Sequence, residues 1–346
     1  MAIIAPDLGI DLGTSNTLVY VRKKGILINE PTLLVVQSGG KRVTRAIGRD
    51  ASVLVGRTPA GDVVVRPMQD GRIRDYDMAE TLLKYFIRKA IGASHIVKPR
   101  AVITIPCRVS KVDRRVITEA AVAAGIRRNG VELIEKPFAS AYGSDLRVFS
   151  PEGTLVVDSG GGTTEIALIT HGGYVATRSL ATGGISMDMA IVEYLRHDYN
   201  MVIGDRKAED IKIDWGAALP YKEERKIVVS GRDLITGLPQ TAEITSTKVY
   251  EALQAPCRQI LQGIRSVLDK APPELAADVL RKGVFLMGGA SQLHGLDHFL
   301  AAELGLPVTV AKEPMLCAAM GVGRLVDDPS NLPFVARLSA TQDESE

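Results

Sequence analysis

Short apolar runs that stop at small polar turns alternate along this chain with longer stretches whose apolar residues recur at helical spacing. Residues 7–21, DLGIDLGTSNTLVYV, read as strand, tight turn and strand, and residues 26–36, ILINEPTLLVV, as further strand broken at a proline. From Gly39 to about Gly71 the chain is rich in Gly, Val and Arg, which suggests a small mixed subdomain on the edge of a larger one. Asp77, with Glu80 three residues on, resembles a capping box ahead of a helix MAETLLKYFIRKAI. AVITIP (101–106) is a buried strand. Ser110 and Asp113 open the next helix and Gly125 closes it. VELI (131–134) runs into EKPFASAYG, where Pro137 suits a first helical turn and Gly143 its end.

The second half restarts the plan. TLVVDSGGGTTEIALIT (154–170) is again strand, turn, strand. Ser186 is placed to cap MDMAIVEYLRHDYN, and KAEDIKIDWGAAL is helical. KIVVSGRDLITGLPQTAEIT forms a hairpin around a Gly/Pro loop, and TKVYEALQAPCRQILQGIRSVLDKA is a long helix with a kink expected at Pro256. GVFLMGGASQL (283–293) is a strand entering a glycine turn and then a helix, and the polar, acidic end beyond Asp327 is expected to fray. Asp11, Gly13 and Thr17 return as Asp158, Gly160 and Thr164, 147 residues later and in the same setting, so the chain carries an internal duplication. The pattern predicts an α/β protein of two related domains facing each other across a ligand cleft.

Composition narrows the classes. The 346 residues are 46% hydrophobic and 24% charged, ordinary for a globular protein with room for about two domains. With 42 basic and 40 acidic side chains the net charge is +2, which gives no electrostatic reason to bind nucleic acid. Cys107, Cys257 and Cys317 are scattered and lack metal spacing; they read as reduced thiols of a cytoplasmic protein. The N-terminal MAIIAPDLGI lacks the features of a signal peptide, and no apolar run approaches the ~20 residues of a membrane span.

The two turns suit phosphate chemistry. Glycine-rich turns bring backbone N–H groups close to an anion because no Cβ intervenes. Thr14, Ser15, Thr163 and Thr164 add hydroxyls. Asp11 and Asp158 end their strands at these turns, and a carboxylate beside a phosphate repels it unless a cation stands between. Mg²⁺, which keeps most of its waters and touches one or two carboxylates, satisfies both. The competing explanation is a pair of ordinary hairpin turns, in which Asp and Gly are common. Neither a P-loop nor a strand-coupled G-x-G-x-x-G is present.

GIDLGTSNT, DSGGGTTE and FLMGGAS resemble the two phosphate segments and the adenosine segment of the actin-like ATPase superfamily. Within it, GIDLGTSNTLVYV, ILINEPTLLVV, AEDIKI, EALQAP, PPELAADV and GVFLMGGASQL resemble the bacterial actin MreB family, in order, from about residue 8 to 326. The resemblance implies an actin-like fold. Residues 1–31, 72–144 and 316–346 would form one large α/β subdomain with 32–71 as its insert. Residues 145–181 and 244–315 would form the other, with 182–243 inserted, and about 328–346 would be a flexible tail. It implies ATP as ligand and Mg²⁺ held through water by Asp11 and Asp158. Gly13, Thr14, Ser15 and Asn16 would grip phosphates from one side, and Gly160, Gly161, Gly162 and Thr163 from the other. Glu209 and Lys212 would take the ribose and flank the base, although the same pair reads equally as a solvated i, i+3 ion pair. Gly288, Gly289 and Ala290 would admit the adenine and α-phosphate. It further implies self-assembly into paired protofilaments, contact with cell-wall elongation proteins, and a role in rod shape and wall synthesis.

The family pattern breaks at two places. In the family, the acid just before the proline of EKPFASAYG orients the attacking water; here that residue is Lys136, with Glu135 one position earlier. A lysine has three donors and no acceptor, so slow hydrolysis is expected, with Lys136 pairing instead to the γ-phosphate, Glu135 as a possible substitute and Thr163 helping to orient the water. Ile185 replaces an expected aspartate, and Asp188 is the next acid. A sugar kinase would need a catalytic aspartate where Lys136 stands, and a chaperone-like ATPase would need a separate peptide-binding domain. His294 and His298 have helical i, i+4 metal spacing but no third ligand nearby. The loop GASHIVKPR (92–100) offers Ile96 and Val97, flanked by Lys98 and Arg100, as a membrane contact through residues 94–97; ordinary burial is the alternative. The expected location is cytoplasmic, peripheral on the inner face of the membrane.

Overall fold

The computed structural model describes residues 4–39, 42–92 and 96–332. Two five-stranded sheets organise it. In the first, the order is Val131–Glu135, Ala101–Ile105, Leu8–Leu12, Asn16–Val21, Gly25–Pro31. In the second it is Val308–Val310, Val284–Met287, Thr154–Ser159, Thr164–Thr170, Gly173–Leu180. In both, the first strand of the opening hairpin pairs antiparallel with its successor and parallel with a later strand. The seven-residue echo in the sequence is therefore the visible trace of a duplicated sheet. The central strands are buried along their whole length, which explains why they read as continuous apolar runs.

Two three-stranded sheets accompany these. Leu34–Gln37 pairs with Val43–Ile47 and Asp62–Val65, and Lys226–Asp233 pairs with Met201–Val202 and Pro239–Thr245. Each large sheet has its own apolar core. A further cluster joins the halves: Val102 from the first sheet, Val156 and Ala167 from the second, and Phe138 and Val322 from the helices Lys136–Gly143 and Cys317–Asp327. Those two helices cross in near-contact. A Cβ on Gly143 would collide with Cys317 O, and one on Gly321 with Ala139 O. The reciprocal glycines set how closely these two helices approach each other.

Helix starts depart from the expected caps in two places. The helix Tyr76–Ile91 is capped by Asp75, whose side chain accepts from Met78 N–H, so Asp77 lies in the first turn. The helix Gly184–Tyr199 begins two residues before Ser186, whose hydroxyl reaches back to accept from Gly183 N–H. Ser110 does cap Lys111–Ala123, accepting from Asp113 N–H. KAEDIKIDW is helical but the helix ends at Trp215, before Ala217 and Ala218. Pro256 sits inside one continuous helix, Ser246–Leu268.

Candidate functional site

The two hairpin turns close in the same way. Gly13 N–H donates to Asn16 O at 3.1 Å, and Gly160 N–H donates to Thr163 O at 2.8 Å. Neighbouring backbone then ties each turn down: Thr32 N–H donates to Ser15 O, and Gly184 and Ile185 N–H donate to Gly160 O and Gly161 O. This gives Ile185 a backbone role in the first turn of its helix, independent of its side chain. The turns face each other across the cleft. A Cβ on Gly161 would collide with Ser15 Oγ, and one on Gly162 with Thr14 Oγ1, so only glycine permits the approach.

Beside them opens a cavity of about 560 Å³, within the usual range for a small-molecule site. Its lining includes Asp11, Gly13, Thr14, Ser15 and Asn16 from the first half, and Asp158, Gly160, Gly161, Gly162 and Thr163 from the second. Lys136, Glu209, Lys212, Gly288, Gly289 and Ala290 also line it, as do Ile185 and Asp188. Gly288 has φ +82°, and a Cβ there would collide with Ser159 O, so the backbone runs open at this wall. Residues from six separate stretches of sequence thus meet in one cavity.

Glu135 is placed differently from the expectation that it substitutes for the missing acid. It is buried, its carboxylate pairs with the Arg114 guanidinium at 2.6 Å, and it is absent from the cavity lining. The strand Val131–Glu135 ends there, so Glu135 and Lys136 point to different sides of the strand-to-helix junction. Lys212 likewise pairs with Asp188 at 2.8 Å and donates to Gly184 O at 3.1 Å, rather than with Glu209. Burial pushes the Asp188 carboxyl up to about 6, with Lys212 working against it. His294 precedes the helix Leu296–Leu304 and stacks on Tyr221, so the helical pair with His298 does not form. Among the described residues no cluster of three His, Cys, Asp or Glu forms.

The charge balance of the cavity centres on three side chains. Asp11 Oδ1 accepts from Thr104 Oγ1 at 2.6 Å and lies 3.3 Å from Lys136 Nζ. Asp158 accepts from the Ser140 hydroxyl through Oδ2, while its Oδ1 is buried without a hydrogen-bonding partner among the described residues. Burial raises the Asp158 carboxyl, opposed by the Lys136 ammonium and the Ser140 hydroxyl. Burial would lower Lys136, but Asp11 and Asp158 outweigh it and hold the ammonium protonated well above the usual lysine range. An all-oxygen donor set with one orphaned carboxylate oxygen suits a hard cation such as Mg²⁺.

Glu165 is a site neighbour that the sequence reading passed over. Its carboxylate accepts from Cys107 N–H at 3.0 Å and from Ser179 Oγ at 2.9 Å, tying the first half to the second hairpin. Burial pushes it up to about 7, against the donors that stabilise its charge. The available signal was a lone acid inside the apolar strand Thr164–Thr170.

Comparison with known proteins agrees with this geometry. The family model described as MreB/Mbl protein matches residues 5–333. The chain is 41% identical over 331 residues to the cell shape-determining protein Mbl of Bacillus cereus, covering 96% of this chain and 98% of that protein. It is 41% identical over 325 residues to the cell shape-determining protein MreB of Escherichia coli, covering 93% of each. The crystal structure of MreB 5 of Spiroplasma citri bound to AMPPNP superposes with a TM-score of 0.89 at 30% identity, over 96% of this chain and 98% of that one. With the duplicated sheets and the cleft between them, these matches establish an actin-like fold, and the chain belongs to the MreB/Mbl family.

Proposed function

We propose that the protein is a bacterial actin homologue that binds ATP with Mg²⁺ in this cleft and polymerises into filaments, organising rod shape and cell-wall synthesis. The observation that carries the proposal is the opposition of two related phosphate-type turns, Gly13–Asn16 and Gly160–Thr163, each beside a buried aspartate. The nucleotide-bound structure of a 30% identical relative supports ATP as the ligand. Backbone N–H groups of the two turns would hold the β- and γ-phosphates, with Thr14, Ser15 and Thr163 adding hydroxyl donors. Asp11 and Asp158 would hold Mg²⁺ through water; when bound, it would neutralise charge on the phosphates. Glu209 and Lys212 would border the ribose and base, and Gly288, Gly289 and Ala290 the adenine and α-phosphate.

The subdomain boundaries given above serve this mechanism: two halves joined at the crossing helices close on the nucleotide and align the surfaces of a head-to-tail filament. Such heterologous contacts propagate without closing. Protofilament pairing and contact with wall-elongation proteins would be expected of a member of this family. Hydrolysis is slow, because water must be oriented by a hydrogen-bond acceptor, Lys136 offers none, and Glu135 is engaged by Arg114. Among the described residues no helix is long and apolar enough to cross a membrane, so attachment to the cytoplasmic face would be peripheral.

Light scattering on addition of ATP and MgCl₂, followed by negative-stain electron microscopy, tests the proposal. Nucleotide-dependent filaments are expected. A protein that binds ATP and remains monomeric at every concentration would instead favour a kinase-like role.

A further inference from the structure

Lys136 lines the same cavity as Asp11 and Asp158, the two carboxylates that would hold a divalent cation. Its Nζ is 3.3 Å from Asp11 Oδ1. The position a Cβ would take on Gly160 is 3.9 Å from the same nitrogen. The ammonium therefore lies beside the first carboxylate and the second phosphate-type turn at once. Asp158 is close enough to act on its charge and holds one buried oxygen that no hydrogen bond satisfies.

The lysine is held in this place by its element. It is the first residue of the helix Lys136–Gly143, with Pro137 and Phe138 buried directly behind it. Ser140, one turn on, donates to Asp158, fixing the helix against the second hairpin. The glycine contact with Cys317–Asp327 fixes its other end. A primary ammonium carries three donors and no acceptor, so after meeting Asp11 it retains donors for an incoming anion.

We infer that Lys136 is a built-in counter-cation, which offsets the charges of Asp11 and Asp158 and lets the cleft bind a nucleoside triphosphate with little dependence on a divalent metal. The inference rests on the nucleotide reading of this cleft and deepens it. An unbridged pair of aspartates would repel the phosphates whenever the metal was absent. A cation attached to the chain needs no capture from solution and cannot be removed by a chelator; its ordering cost is met in folding. Mg²⁺ remains compatible with the site, since Asp158 lines the same cavity as Lys136, but it becomes an addition to a charge already present.

The test is the affinity of the full chain for ATP by isothermal titration, in MgCl₂ and in EDTA at matched ionic strength. Three proteins are compared: the natural chain, Lys136→Met and Lys136→Arg. The natural chain should lose less than about tenfold on chelation, whereas Lys136→Met should lose about 30-fold or more, as expected when one member of a buried charge pair is removed. Lys136→Arg should keep the natural pattern. If chelation weakens the natural chain as much as Lys136→Met, the inference fails while the nucleotide reading stands. If ATP binds in neither medium, the nucleotide reading itself fails, and this inference with it. A loss of about tenfold or more on the natural chain already overturns the inference without any variant, so it stays falsifiable even where Lys136→Met does not fold.

Discussion

At the residue scale, Lys136 is the more consequential of the two positions at which the sequence departs from the family pattern it resembles. On the proposed reading, the acid that the family pattern places before Pro137 would supply an acceptor to a water, whereas Lys136 supplies a positive charge and donors. The structure adds that this charge is directed at Asp11, and that Glu135 is held by Arg114 on the other side of the junction. Adjacent residues at a helix start diverge by roughly 100°, so on the proposed reading a carboxylate shifted by one residue would not replace the missing acid. Lys136→Glu should therefore raise single-turnover ATP hydrolysis in Mg²⁺, by at least about tenfold given the usual worth of a positioned base. An unchanged or lower rate, measured by quenched-flow phosphate release, would remove the proposed reason for slow turnover. The identity of the residue was plain in the sequence, but its ion-pair partner lies 125 positions away in the chain and was not.

At the element scale, strands and most helices were legible because their apolar period is local. The two opening hairpins, the buried strand 101–105 and the hairpin 226–245 fall where the pattern put them. Cap positions were less legible. Asp75 and Asp77 are both good N-cap types; the helix starts after Asp75, where Pro67 O accepts from Arg74 N–H. The contact between Lys136–Gly143 and Cys317–Asp327 was not legible at all. Nothing in the local pattern distinguishes Gly321, which meets Ala139 O, from Gly204, which meets open space. Gly321→Ala should lower the urea-unfolding free energy by roughly 1–3 kcal/mol through overpacking at backbone that cannot retreat. Gly204→Ala, built into open space, should stay within about 0.5 kcal/mol. Equal effects of the two would mean that the helix crossing is looser than its geometry indicates.

At the scale of the whole molecule, the proposed membrane contact changes shape. Ile96 is 83% exposed and Val97 37%, and Ile4, 67% exposed, is bridged to Val97 through the backbone. Residues 94 and 95 of the expected loop lie outside the described residues. The apolar patch thus draws on the N-terminal segment as well as the loop. Arg100 is also less available to lipid than expected, because Asp7 holds its guanidinium at 2.7 Å; Lys98 remains exposed. Three aliphatic side chains supply only a few kcal/mol, so on this proposal one protomer would bind weakly and a filament would bind through repetition. Ile96→Ser combined with Val97→Ser should reduce co-sedimentation with anionic liposomes in ATP while leaving filaments intact. Full retention on the liposomes would exclude this patch as the anchor.

By itself, the sequence determined the elements, the duplication and the phosphate-type turns, since each follows from residues within a few positions of one another: apolar period, glycine at turns, and an acid at a strand's end. Only the tertiary structure decided which charges meet. That Lys136 reaches Asp11, that Arg114 takes Glu135, that Lys212 chooses Asp188 over Glu209 and that Glu165 joins the two halves all depend on how the sheets are set across the cleft. Electrostatic partnership acts through space over a few ångströms, and the packing of distant segments, which local periodicity does not encode, sets those distances.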